Sequence, residues 1–184
     1  MVGFFRRRNM RGIQLDPVQM QVLSDANRLI AAGHPGEAAQ LFADLAQQME
    51  VSNHPRRAAN LHAQAAHAYA DNQDETGALA HALRALTLFL QYQMVERTPR
   101  FYANIERKLR ARNMATAADT LQTEFGKQIG SLPQPQVQPQ APGQQRLPPT
   151  CPQCGAPVRG DEIEWINQYS AECIYCGSVV QTEK

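Results

Sequence analysis

Cys151, Cys154, Cys173 and Cys176 are the four cysteines of this 184-residue chain, and they form two CxxC pairs eighteen residues apart. Two cysteines separated by two residues can turn both sulfurs onto one centre, and a second such pair completes a tetrahedron around a divalent ion. The spacing lies within the C-x2-C-x15–20-C-x2-C window of zinc sites. Glycine follows each pair, at Gly155 and Gly177. There a positive φ would let backbone amides face the thiolates. Four thiolates leave no open position for water or substrate, so a Zn2+ held by them is structural rather than catalytic.

The segment 151–184 resembles the zinc-ribbon family, whose four ligands match Cys151, Cys154, Cys173 and Cys176 residue for residue. Strands are expected at Glu162–Ile166 and Ser178–Gln181, with Trp165 packed beside the metal site or on the knuckle turns. So short a module cannot build an adequate core, and metal binding should supply most of its folding free energy. Other chemistries use the same residue types. Two disulfides fit an exported protein, whereas no apolar signal segment follows Arg6, Arg7 and Arg8. A rubredoxin-like iron site would make the chain an electron carrier. A RING ligase needs eight ligands, and thioredoxin chemistry needs one CxxC in a βαβ setting.

The ribbon carries Arg159 and Lys184 against Asp161, Glu162, Glu164, Glu172 and Glu183. Phosphate binding depends on cations, so this sign disfavours nucleic acid as a ribbon ligand and suits a protein partner. The whole chain has a net charge of +1 and no apolar run of membrane-spanning length.

Residue types then divide the rest. Residues 1–16 form a basic tail, where Phe4-Phe5-Arg6-Arg7-Arg8 could give at most weak peripheral membrane contact. Residues 17–130 are rich in Ala, Leu and Gln at helical spacing. Residues 131–150 contain six Pro and six Gln. That composition reads as an extended spacer reaching roughly 60 Å, which would tether the ribbon without packing it on the helices.

Helices are expected at about 17–32, 36–50, 55–72, 75–94, 99–112 and 115–128. Pro17, Pro35, Pro55 and Pro99 mark first turns. Apolar faces run through Val22, Ala26, Leu29 and Ile30, then Ala38, Leu41, Phe42 and Leu45, with later counterparts at Ala78, Ala82, Leu83, Leu86, Ile105 and Leu109. The turns at Gly33, Gln73 and Asn113 stand forty residues apart, and this offset aligns Leu29, Tyr69 and Leu109, and also Ala38, Ala78 and Ala118. Short connections make neighbouring helices antiparallel.

With Ala26, Leu29, Ala38 and Phe42, echoed by Ala66, Tyr69 and Ala78, residues 20–128 resemble the tetratricopeptide-repeat family. The fold expectation is mainly α: antiparallel helical hairpins in a short solenoid, plus a small C-terminal β zinc ribbon. The resemblance implies a groove or face for a partner protein. Around the fifth helix, Arg97, Arg100, Arg107, Lys108, Arg110 and Arg112 oppose Glu96 and Glu106. A solvated helix face explains them. An acidic protein segment, RNA or anionic lipid are the functional alternatives.

The histidines (His34, His54, His62, His67, His81) form no HExxH pattern, and Asp71, Asp74 and Glu75 read as caps at a turn. No P-loop, GxGxxG or GxSxG motif occurs. The expectation is a cytoplasmic, non-enzymatic adaptor with one structural Zn2+ and an unidentified protein partner. An electron carrier and a nucleic-acid factor using the basic helix remain the alternatives.

Overall fold

The computed structural model describes residues 15–95, 97–132, 146–158, 163–167, 169–176 and 178–182. The basic tail up to residue 14, the spacer residues 133–145, Gly177 and the acidic residues Asp161, Glu162 and Glu183 lie outside them. Six helices come first: α1 Pro17–Ala31, α2 Pro35–Val51, α3 Pro55–Asp71, α4 Glu75–Gln91, α5 Arg97–Ala111 and α6 Ala115–Gly130. Three short strands follow: β1 Glu164–Asn167, β2 Ser170–Glu172 and β3 Val179–Gln181.

The helix ends share one backbone device. Gly33, Asn53, Gln73, Gln93 and Asn113 all have positive φ, and they stand twenty residues apart. At each turn the following amide reaches back to the carbonyl five residues earlier, as in His54 N–H to Met49 at 2.8 Å and Met94 N–H to Phe89 at 2.8 Å. This is the Schellman arrangement, which satisfies the orphan carbonyls of a helix end and reverses the chain at once. The turns at 33, 73 and 113 carry the forty-residue spacing, and Pro55 and Pro99 mark the two between them. The twenty-residue recurrence itself is hidden, because glutamine at 73 and 93 is a poor left-handed residue.

Tight turns make successive helices pack side by side, α1 on α2, α2 on α3, α3 on α4 and α5 on α6, while α3 also meets α5 and α4 meets α6. Small residues set the spacing: Ala26, Ala38, Ala58, Ala66, Ala78, Ala82 and Ala118 are fully buried, with Leu23, Leu45, Leu61, Leu86, Ile105, Leu109 and Leu121 filling the gaps. Gly77 marks the closest approach, because a Cβ there would stand 2.8 Å from the Tyr69 ring.

Several boundaries differ from expectation. Helix α5 begins at Arg97, not Pro99, because Pro99 still lies in the first turn, where amides have no intrahelical partner. In α1 the buried residues are Leu23 and, as expected, Ala26, while Ile30 faces outward at 41 % exposure. Leu15 is buried and Asp16 forms a capping box with Gln19, so both belong to the helical part rather than the tail. No described helix is long and apolar enough to cross a membrane.

The C-terminal module is a three-stranded antiparallel sheet in the order β1-β2-β3. Strand β2 is missing from the sequence reading, since Ser170-Ala-Glu172 has no β-branched or aromatic residue. Trp165 pairs with Ala171, which pairs in turn with Val180. Ala171 and Val180 are buried, and Trp165 on the edge strand is 45 % exposed. The expectation of a module kept off the helices is also overturned: it is seated on α1 and α3, through contacts described below.

Candidate metal centre

Each CxxC pair sits at the tip of a small hairpin. The first is closed by a bridge between Thr150 and Pro157 and by Cys151 N–H donating to Ala156 O at 2.8 Å. Gly155 has φ +71°, and its N–H donates to Cys151 O at 2.9 Å. The left-handed glycine expected after the first pair is therefore in place. The second pair forms the tip of the β2–β3 hairpin, closed by Cys173 N–H to Ser178 O at 2.8 Å. Glu172 pairs with Val179 at its base.

The two tips bring all four cysteines together, every one of them a buried free thiol. Their sulfurs lie within 4.8 Å of one another, with Cys151 to Cys176 at 3.7 Å and Cys154 to Cys173 at 3.9 Å. A disulfide would need about 2.05 Å. A tetrahedron with metal–sulfur bonds of about 2.3 Å has edges of about 3.8 Å, so the measured spacings fit an enclosed ion. Cys151, Cys154, Cys173 and Cys176 are the residues that would hold it.

Their protonation points the same way. Hydrogen bonding from Cys154 and Cys173 holds the Cys151 thiol down at about 7. Contact with Cys151 drives Cys176 down and both Cys154 and Cys173 up. Four crowded sulfurs resist joint ionisation unless a cation sits among them. Ser178 Oγ stands 3.1 Å from Cys176 Sγ, close enough to orient that sulfur.

The helices grip both tips. Asn27 of α1 donates from Nδ2 to Cys154 O at 2.9 Å, and Asn60 of α3 donates from Nδ2 to Ile174 O at 3.1 Å. Asn60 is itself oriented by Arg97, which donates to its Oδ1 at 2.7 Å. Arg57 faces Glu172 at 4.0 Å. Burial lowers the Arg57 pKa, opposed by the attraction of Glu172, Cys176 and Cys173. Asn27 and Asn60 carry no signal of this role in the sequence, because each reads as an ordinary helical amide.

Beside the module runs a depression of about 680 Å3 along α1, α3 and α5, with Ile30, Phe89 and Phe101 among its lining and Pro157, Ile174 and Tyr175 contributed by the module. Arg107, Lys108 and Arg112 line it too. The basic residues of α5 are not a simple solvated face. Lys108 and Arg112 share Asp71 at 2.7 and 2.8 Å, Arg110 meets Glu106 and Asp119, and Arg107 donates to Asn104 at 2.6 Å. Of the three acids read as caps, Asp74 caps its own helix, accepting from Gly77 N–H at 2.9 Å, and Glu75 caps the first turn of α6 from α4. Asp71 instead pairs with α5, and Glu75 accepts from Ala117 N–H at 2.8 Å.

A polar chain also crosses α2, α3 and α4. Arg84 engages both Glu50 oxygens, Glu50 accepts from His62 Nε2 at 2.7 Å, and His62 Nδ1 meets His81 Nδ1 at 2.8 Å. Arg84 pulls the Glu50 pKa down to about 2, and burial, followed by the His62 charge, lowers His81 to about 4. Neutral rings complete this chain, His81 donating to His62 and His62 to the carboxylate. Residues nineteen apart on different helices gave no motif by which to find it. Among the described residues the cysteines form the one group with metal-ligating geometry. No protein-family model matches the chain, and neither a curated protein nor a solved structure matches it.

Proposed function

We propose that this chain is a non-enzymatic cytoplasmic interaction protein, in which tetratricopeptide-like hairpins carry the partner surface and a zinc ribbon is seated on them. The observation that carries this reading is the closed set of four buried sulfurs at tetrahedral spacing. Such a site holds its ion for structure, because protein fills every position that water or substrate would need. The twenty-residue recurrence of left-handed turns supports a helical-repeat reading, and the depression along α1, α3 and α5 is a natural contact surface. Engagement of the α5 cations by Asp71, Glu106 and Asp119 argues against a role as a nucleic-acid grip.

Metal analysis of protein purified without added metal tests the centre. One zinc per chain is expected, whereas iron with visible absorption would favour an electron carrier. Capture from a native extract with the intact chain, compared with a Cys151→Ser variant, tests the contact role. Recovery of one protein partner by the intact chain supports it, and recovery of nucleic acid in its place defeats it.

A further inference from the structure

A second cavity, of about 400 Å3, lies where the α2–α3 turn, the α4–α5 turn and the second cysteine hairpin meet. Its walls include Pro55, Tyr92, Met94 and Ile174, which are apolar, and Arg57, which is not. The Arg57 side chain is mostly buried, and its NH1 is buried without a hydrogen-bond partner. Its NH2 reaches Glu172 at 4.0 Å, beyond hydrogen-bond range. Arg57 is a lining residue of the cavity, and a carboxylate matches the fork of a guanidinium.

We propose that this cavity binds a small monocarboxylate with an apolar body, the carboxylate on Arg57 and the body against Pro55, Tyr92, Met94 and Ile174. Arg56, Arg57 and Arg97 line the space against Glu172, which suits an anion, and the apolar walls favour one with an apolar body over inorganic phosphate. The volume is in the range of small-molecule sites, and the mixture of apolar walls with one convergent charge is their usual make-up. This site goes beyond the contact role above and needs only the seated module, whose Ile174 forms one wall.

Calorimetric titration of the full, metal-loaded chain with acetate, butanoate, hexanoate and octanoate tests it. Affinity should rise about fourfold per added methylene until the cavity is filled. Octanamide should bind at least about tenfold more weakly than octanoate, having lost the charge-assisted bond. Arg57→Gln should bring octanoate down to the level of octanamide. The comparison of acid with amide in the unaltered chain stands even if that variant unseats the module. No saturable octanoate binding, equal binding of the amide, no dependence on length, or tighter binding of inorganic phosphate would overturn the site. Metal content measured on the same sample is unaffected by any of these results, so the centre is judged separately.

Discussion

Asn27 Nδ2 donates to the carbonyl of Cys154 at 2.9 Å across 127 residues of chain, and so ties the first helix to a ligand of the metal centre. The same amide also reaches Leu23 O, one turn back in its own helix. A Cβ on Gly155 would stand 3.5 Å from the Asn27 Cβ, so the glycine of the first knuckle lies close against α1. Together with Asn60 and Ile174, this makes the helical part an outer shell of the cysteine site.

Asn27→Ala should therefore loosen the metal without unfolding the helices. Outer-shell partners typically govern metal affinity about 10–100-fold, so a competing chelator should extract the ion at about tenfold lower concentration. Competition titration with unchanged helical circular dichroism would verify this. Unchanged extraction would show the contact to be passive.

Stripping the metal completely should unfold the C-terminal module and spare the helices. Its buried interior among the described residues amounts to the cysteines with Ala156, Ala171, Tyr175, Ser178 and Val180, too little to hold a fold. Trp165, the single tryptophan, should report the change in fluorescence, while ellipticity at helical wavelengths stays nearly constant.

Stability should fall as pH drops from about 6.5 towards 4. His81 is held near 4 in the fold against an ordinary 6.5, so in that window the unfolded chain binds the extra proton. His62 is displaced in the same direction by burial, and Glu50 adds a second loss as pH falls from 4.5 towards 2. Denaturant midpoints measured across this range should drop, and His81→Gln should flatten the portion above pH 4.

Gly77→Ala should destabilise the chain by about 1–3 kcal/mol through overpacking. The new Cβ would meet the Tyr69 ring, which is stacked on His81 at 5.3 Å between centroids and cannot swing aside freely. Gly126→Ala is the control, since its nearest neighbours stand at 3.4 and 3.5 Å. There the helix propensity gain of about 1 kcal/mol should prevail. Denaturant unfolding of both variants gives the two signs.

Gln73→Gly and Gln93→Gly should each stabilise, because both positions are left-handed at φ 59° and 54°. Relief of a conformation costing an L-residue about 1–2 kcal/mol exceeds the added chain entropy of glycine, leaving about 0.5–1 kcal/mol. Melting temperatures compared with the parent chain would decide it.

The ligand set and the six helices were legible in the residues because both depend on local spacing. Two CxxC pairs specify which atoms can share an ion, and prolines with apolar periodicity specify where helices run. Asp71, Asn27, Asn60, Arg57, His62 and His81 carried no such mark. Their roles depend on partners 12 to 127 residues away, brought close only by the stacking of helices and the seating of the module on them. The exposure of Trp165 carried no mark either, since its place on an edge strand decides it and bulk does not. Composition divided the chain at a Pro/Gln stretch and suggested separation. Side-chain amides on α1 and α3 met the carbonyls at the two hairpin tips, which is a matter of tertiary geometry alone.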